Sequence, residues 1–280
     1  MMKRLAAWLA CAALVAGCAT TTVPPIEGVI WQPHNDMLTP SGNWEQLGVK
    51  RLLVQWTAVD GTSFVENGGL PAAPKLPDWP RIGREPWARE VILGLAGRFN
   101  EKNARGAIAE LAEQSQRVAQ SKPPVNVVGW YFPVEIDPTW SEAKNLAPLL
   151  KALPRPLWIS VYDSANIGPY ELAESLASWL PPDVGVFFQD GVGVHAREAY
   201  VAKHYANVLS AKLGRNRVKL IAEAFRPKPG GGFRPATLEE LKPQLAQYEG
   251  YAIYLFEGPH YVTPELTKQL ASQQQLPRSQ

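Results

Sequence analysis

Two glutamates offer this sequence's plainest chemistry. Glu135 follows the aromatic run Trp130-Tyr131-Phe132 in NVVGWYFPVEID, and Glu223 lies within VKLIAEAFR. Cleaving a glycosidic bond needs two carboxyl groups flanking it. One gives a proton to the leaving oxygen, and the other attacks the sugar or activates water. Glu135 is the expected general acid/base, its pKa raised by the apolar Trp130 and Tyr131 beside it. Glu223 is the expected nucleophile or, in an inverting enzyme, the base.

Other residues suit the grip on a sugar. They are Trp31, Gln32, His34, Gln55, Trp56, Trp130, Tyr131, Tyr162, Gln189, Asp190, Arg234, Glu257 and His260. Aromatic faces stack on pyranose rings, and Trp31, Trp56 and Trp130 are the expected platforms. Amides, imidazoles and guanidinium hold hydroxyls, while Asp190 and Glu257 would bind hydroxyls or tune the acid pair. Each acid also has a structural alternative. Glu223 could pair with an Arg inside the fold, and Glu135 could cap a helix beginning near Trp140. Asp190, before Gly-Val-Gly, could satisfy backbone N–H groups of a turn, and Glu257 could orient His260 or Tyr261.

Other chemistries find less support. The histidines are His34, His195, His204 and His260, with no H-E-x-x-H or H-x-H pattern, so neither a metal nor another cofactor is expected. No G-x-S-x-G marks a serine nucleophile.

These residues fall at the ends of repeated elements. Eight apolar segments, 28–34, 51–60, 90–99, 125–137, 156–163, 184–193, 218–226 and 251–260, recur at the spacing of a βα unit. Their Val, Ile, Leu and aromatic content suits strands buried on both faces. Helical patterns lie between them at 102–120, 141–153, 169–180, 196–213, 237–248 and 264–270, with a capping box read from Thr237 to Glu240. The first two connections are weaker. Residues 43–47 make little more than one turn, and 61–87 is a Gly/Pro-rich loop with a short helix near 86–89. The fold class expected is α/β, a single (β/α)8 TIM barrel. An open doubly wound sheet would usually carry a G-x-G-x-x-G turn early, and none is present. In such a barrel, catalytic groups stand at the C-terminal ends of the strands.

The first residues read as a targeting segment. Lys3 and Arg4 precede LAAWLACAALVAG and then Cys18, and Val15-Ala16-Gly17-Cys18 resembles the bacterial lipobox. The organisation expected is a signal peptide over 1–17, a lipidated tether over 18–26, the barrel over 27–271 and a disordered tail over 272–280. Removing Lys3 and Arg4 from 28 basic residues leaves 26, against 26 acidic ones. A neutral mature chain without a basic run is not expected to bind nucleic acid. Cys11 falls in the removed segment, so no thiol remains for a disulfide.

Taken in order, GVIWQPHN, LLVQWTAVDG, VVGWYFPVEID, VFFQDGVGVH, LIAEAFR…GGFRPA and FEGPHYVTP resemble a bacterial family, domain of unknown function 4434. The resemblance runs from about Gly28 to about Pro264. It implies a TIM barrel like those of glycoside hydrolases, on secreted or lipid-anchored proteins. It also implies a pocket lined by Gln32, Gln55, Trp56, Trp130, Glu135, Gln189, Asp190, Glu223, Phe233, Arg234, Glu257 and His260. The loop at 61–87 departs from the family pattern, which has a helix there. The expected protein is a monomeric, lipid-anchored glycoside hydrolase, retaining rather than inverting. It would face the periplasm from the outer membrane and bind a polysaccharide or oligosaccharide. The alternative is a non-catalytic carbohydrate-binding lipoprotein assisting polysaccharide export or assembly.

Overall fold

The computed structural model describes residues 22–274. Eight strands close a parallel barrel: β1 (Gly28–Trp31), β2 (Arg51–Val54), β3 (Glu90–Gly94), β4 (Val127–Ile136), β5 (Leu157–Val161), β6 (Val184–Gln189), β7 (Val218–Glu223) and β8 (Ile253–Phe256). Each of the eight apolar segments contains one of them. β1 pairs with β8 as well as β2, which closes the sheet and excludes the open alternative.

The strands are apolar on both faces because both faces are covered. Ile30, Leu53, Ile92, Tyr131, Phe187, Ile221 and Tyr254 fill the interior. Their strand neighbours, such as Val29, Trp31, Leu52, Val54, Phe132 and Leu220, point outward into the helical shell. Residues of like parity thus share a face. The N-terminal end is closed by charge. Glu27 takes Arg51 Nη1 at 2.6 Å, Lys219 Nζ at 2.5 Å and the Tyr254 hydroxyl at 3.0 Å, and Arg51 also pairs with Glu90.

The helices keep the expected order with local changes. The pattern at 102–120 is two helices, α1 (Glu101–Gly106) and α2 (Ile108–Val118), broken at Ala107, where φ is −120° and ψ 21°. Gly106 favours the break. The pattern at 141–153 opens as a 3-10 turn before α3 (Leu146–Lys151), since Pro148 cannot donate to the carbonyl four residues back. Then come α4 (Pro169–Trp179), α5 (Ala199–Leu213), α6 (Leu238–Gln247) and α7 (Pro264–Ala271). The capping box at Thr237 and Glu240 is formed. The long connection after β2 has a small core of its own, Trp56, Val59, Phe64 and Ala73, and Trp79 Nε1 donates to Phe64 O at 2.9 Å.

Two expected boundaries shift. Val23 and Ile26 are buried, and Val23 N donates to Gln273 O at 3.1 Å. Gln274 Nε2 reaches Pro24 O and Leu47 O, both at 3.1 Å. The tether is therefore packed from Val23 onward, and residues 272–274 belong to the folded body. Apolar contact and backbone pairing between the two ends overcome the polar composition of both. The signal peptide, Cys18 and residues 275–280 lie outside the described residues.

Candidate active site

The site is built at the C-terminal ends of β3 to β8. On β7 the residues of one parity are Lys219, Ile221 and Glu223, and Ile221 lies inside the barrel. Glu223 therefore projects inward at the strand's end, where it is 1% exposed. Gln189 Nε2, from the end of β6, donates to its Oε1 at 3.1 Å, and Val194 N donates to its Oε2 at 3.1 Å. The loop after β6 reaches this carboxylate only because residue 193 is glycine. A Cβ there would fall 2.6 Å from Glu223 Cβ and 2.9 Å from its Oε2. Burial and the neighbouring Asp190 push the Glu223 carboxyl up to about 7, against these donors.

Glu135 ends β4 and keeps 21% of its side chain exposed. The start of α1 clamps its backbone. Glu135 N donates to Glu101 Oε2 at 3.2 Å, and Arg105 Nε donates to Glu135 O at 3.2 Å. Arg105 Nη2 stands 4.0 Å from Glu135 Oε1, a loose pairing. Burial and then the Glu101 charge raise the Glu135 carboxyl to about 8; Arg105 opposes, and Glu223 adds to the rise. Burial also raises Glu101. The charges of Glu101 and Glu223 thus both press on Glu135, which favours its protonated form.

Tyr162, at the end of β5, faces the same space, and its hydroxyl is raised by burial and by the charge of Glu223. Arg197 lies over its ring at 5.2 Å and donates to Asp190 O at 3.1 Å, bracing the loops after β5 and β6. Tyr131 is buried beneath the acids beside Gln55 and Ser160, and burial holds its hydroxyl protonated. Gln32, at the end of β1, donates its backbone N–H to Glu257 Oε1 at 2.9 Å. Glu257 also holds His260 Nδ1, and the His260 ring stacks on His34 with centroids 5.8 Å apart. The alternative in which Glu257 orients His260 is therefore met.

Four expected sugar contacts are not available to a ligand, and a fifth, Arg234, is ion-paired but 40% exposed. Trp31 is fully buried in the outer shell, with Nε1 donating to Met37 O at 3.2 Å. Trp130 packs against that same shell, because the inward position belongs to Tyr131. Trp56 is 4% exposed in the core of the long loop, with Nε1 on Pro33 O at 2.8 Å. Asp190 points outward and is fully buried. It accepts from Val192 N (3.1 Å), Glu223 N (3.2 Å), Gln244 Nε2 (2.6 Å) and the Tyr248 hydroxyl (2.8 Å). Arg234 is engaged twice by the Glu240 carboxylate, at 2.7 and 2.8 Å.

Other groups were missed. Glu101 and Arg105 follow β3, the one strand whose end was assigned no polar residue. Phe99, 57% exposed, meets Trp56 edge-on at 5.1 Å; Phe233, which the resemblance places in the pocket, is 42% exposed. Arg105 covers the Trp140 ring at 5.5 Å. Phe99 and Phe233 are both open aromatic surfaces. Among the described residues, no three His, Cys, Asp or Glu side chains come together to hold a metal ion.

Fold and site together define a (β/α)8 barrel with an acidic pocket at its C-terminal face. The chain belongs to the family described as domain of unknown function (DUF4434), which it matches over residues 26–268. No curated protein matches it. Among solved structures, a candidate alpha-L-fucosidase from Bacteroides thetaiotaomicron shares 14% identity at a TM-score of 0.64, over 91% of this chain and 98% of that one. The Bacillus megaterium spore cortex-lytic enzyme SleL gives 11% identity and 0.49, over 91% and 75%. A tamarind chitinase-like lectin gives 8% and 0.40, over 89% and 100%. At such identities the first likeness establishes the barrel.

Proposed function

We propose that this protein is a lipid-anchored glycoside hydrolase that cleaves a cell-envelope polysaccharide or exopolysaccharide with retention of configuration. The observation that carries the reading is the pair Glu135 and Glu223. They end β4 and β7 in one pocket, both are raised, and each is held by different neighbours. A carboxyl group at about 8 keeps its proton at neutral pH and can deliver it to a leaving oxygen. A carboxylate nearer 7, fixed by Gln189 and the Val194 N–H, is the better nucleophile.

In the first step Glu223 forms a bond to the anomeric carbon while the glycosidic C–O bond breaks. The Glu135 proton passes to the departing oxygen. In the second step Glu135 takes a proton from water, whose oxygen displaces Glu223 and restores both groups. Gln189 and Tyr162 lie where sugar hydroxyls would be held. The barrel likeness to the candidate alpha-L-fucosidase agrees with carbohydrate chemistry, and the lipobox at Cys18 supports anchoring, with the outer membrane favoured by Ala19.

The test is product release by residues 22–280 from a panel of bacterial exopolysaccharides and peptidoglycan, beside Glu135→Gln and Glu223→Gln. Release lost in both variants supports the reading. Bound polysaccharide with no release makes the protein a carbohydrate-binding lipoprotein. Loss of palmitate labelling in Cys18→Ala tests the anchor separately.

A further inference from the structure

We propose that the N-terminal face of the barrel is a docking surface for anionic phospholipid headgroups. The segments that lead into the strands carry a set of exposed basic residues. Lys50 precedes β2, Arg84 and Arg89 precede β3, Lys122 precedes β4, Lys151 ends α3 before β5, and Arg215 precedes β7. All six are exposed. None is in an ion pair among the described residues. The exposed acids of these segments are Glu45, Asp183, which Arg155 occupies at 2.6 Å, and Glu249. The opposite face is mixed at its surface, with Asp36, Asp60 and Glu198 beside Lys102 and Lys228, and acidic at Glu101, Glu135 and Glu223.

The path of the chain says what covers the basic face. Val23 to Ile26 cross this end, where Ile26 N donates to Leu47 O at 3.0 Å and Glu27 N to Ile253 O at 3.0 Å. Pro24, Pro25, Lys50, Arg51 and Glu90 line one recess there. Cys18 precedes Val23 by five residues, so a lipid on it lies at most about 18 Å from the basic face. At that reach the first surface the face meets is the headgroup layer. Basic residues near an anionic bilayer each strengthen binding by about fivefold, and salt screens the effect. Docked so, the pocket opens away from the membrane.

The membrane's position rests on the lipid-anchored reading above; headgroup binding by the face does not require the lipid. Residues 22–274 close a complete barrel around their own core, so residues 22–280 serve without a lipid. Vesicles of phosphatidylcholine containing one-third phosphatidylglycerol, and vesicles of phosphatidylcholine alone, are sedimented with this protein. Expected is binding to the anionic vesicles only, released by 1 M salt. Lys50→Glu, Arg84→Glu and Arg89→Glu together should weaken it by about a hundredfold or more, with unchanged unfolding temperature and polysaccharide cleavage. Equal binding to neutral vesicles, no binding to either, or a folded triple variant that binds like wild type would overturn the proposal. If the triple variant does not fold, the lipid comparison and salt release decide. No palmitate labelling of the full-length wild-type chain, with vesicle binding retained, would refute the anchor alone.

Discussion

The backbone N–H of Glu135 donates to the carboxylate of Glu101 at 3.2 Å, so the acid that ends β4 is fixed by another acid from the helix after β3. Glu101 is then both a clamp and a like charge. Its charge is the second largest cause, after burial, that raises Glu135 to about 8. Replacing Glu101 by Gln keeps an acceptor and removes the charge. The alkaline limb of the kcat/KM profile should move toward acid, with activity above pH 8 falling about three- to tenfold. An unmoved limb would separate Glu101 from the proton donor.

The wild-type profile itself should be a bell with limbs near 7 and 8 that belong to the coupled group. Glu135→Gln and Glu223→Gln should each lower kcat by about a thousandfold or more. Retained turnover in Glu135→Gln would remove it from the role of acid.

The same shifts predict stability. A carboxyl raised in the folded state stabilises the fold fully below its unfolded value of 4.5. That contribution is lost as pH rises through about 7 for Glu223 and about 8 for Glu135. Glu223→Gln should therefore unfold later than wild type at pH 8, by about 1–3 kcal/mol, and show little gain at pH 4. Chemical denaturation at the two pH values reads the difference.

Gly193→Ala tests the close approach of the β6 loop. The added methyl falls within 2.9 Å of both Glu223 and Phe225, so the loop or the carboxylate must shift. A cost of about 1–3 kcal/mol in stability is expected, together with a fall in kcat larger than any change in KM.

Asp190→Ala should behave as a folding variant. It leaves the N–H groups of Val192 and Glu223, Gln244 and Tyr248 without their shared acceptor, a loss of about 3–5 kcal/mol. KM for the remaining folded protein should hold. Phe99→Ala, at the exposed rim, should do the reverse and raise KM with stability unchanged.

Strand positions were legible because eight apolar runs alternate with helical patterns, and the ends of those runs led to Glu135 and Glu223. The facing of each strand was the harder part. Trp130 and Tyr131 are neighbours, as are Gln189 and Asp190, and a strand turns neighbours to opposite sides. Reading both members of each pair into the pocket put Trp130 and Asp190 there, where only Tyr131 and Gln189 point inward. Lys219, Ile221 and Glu223 carry the parity that would have decided it on β7. Glu101 escaped notice because it comes from a helix's first turn, beyond the strand end.

The ion pairs among Glu27, Arg51, Glu90 and Lys219 close one end of the barrel, and seven large side chains fill its middle. The bore is a cul-de-sac. A ligand cannot thread through it, so any sugar that reaches Glu135 and Glu223 must come from the C-terminal rim.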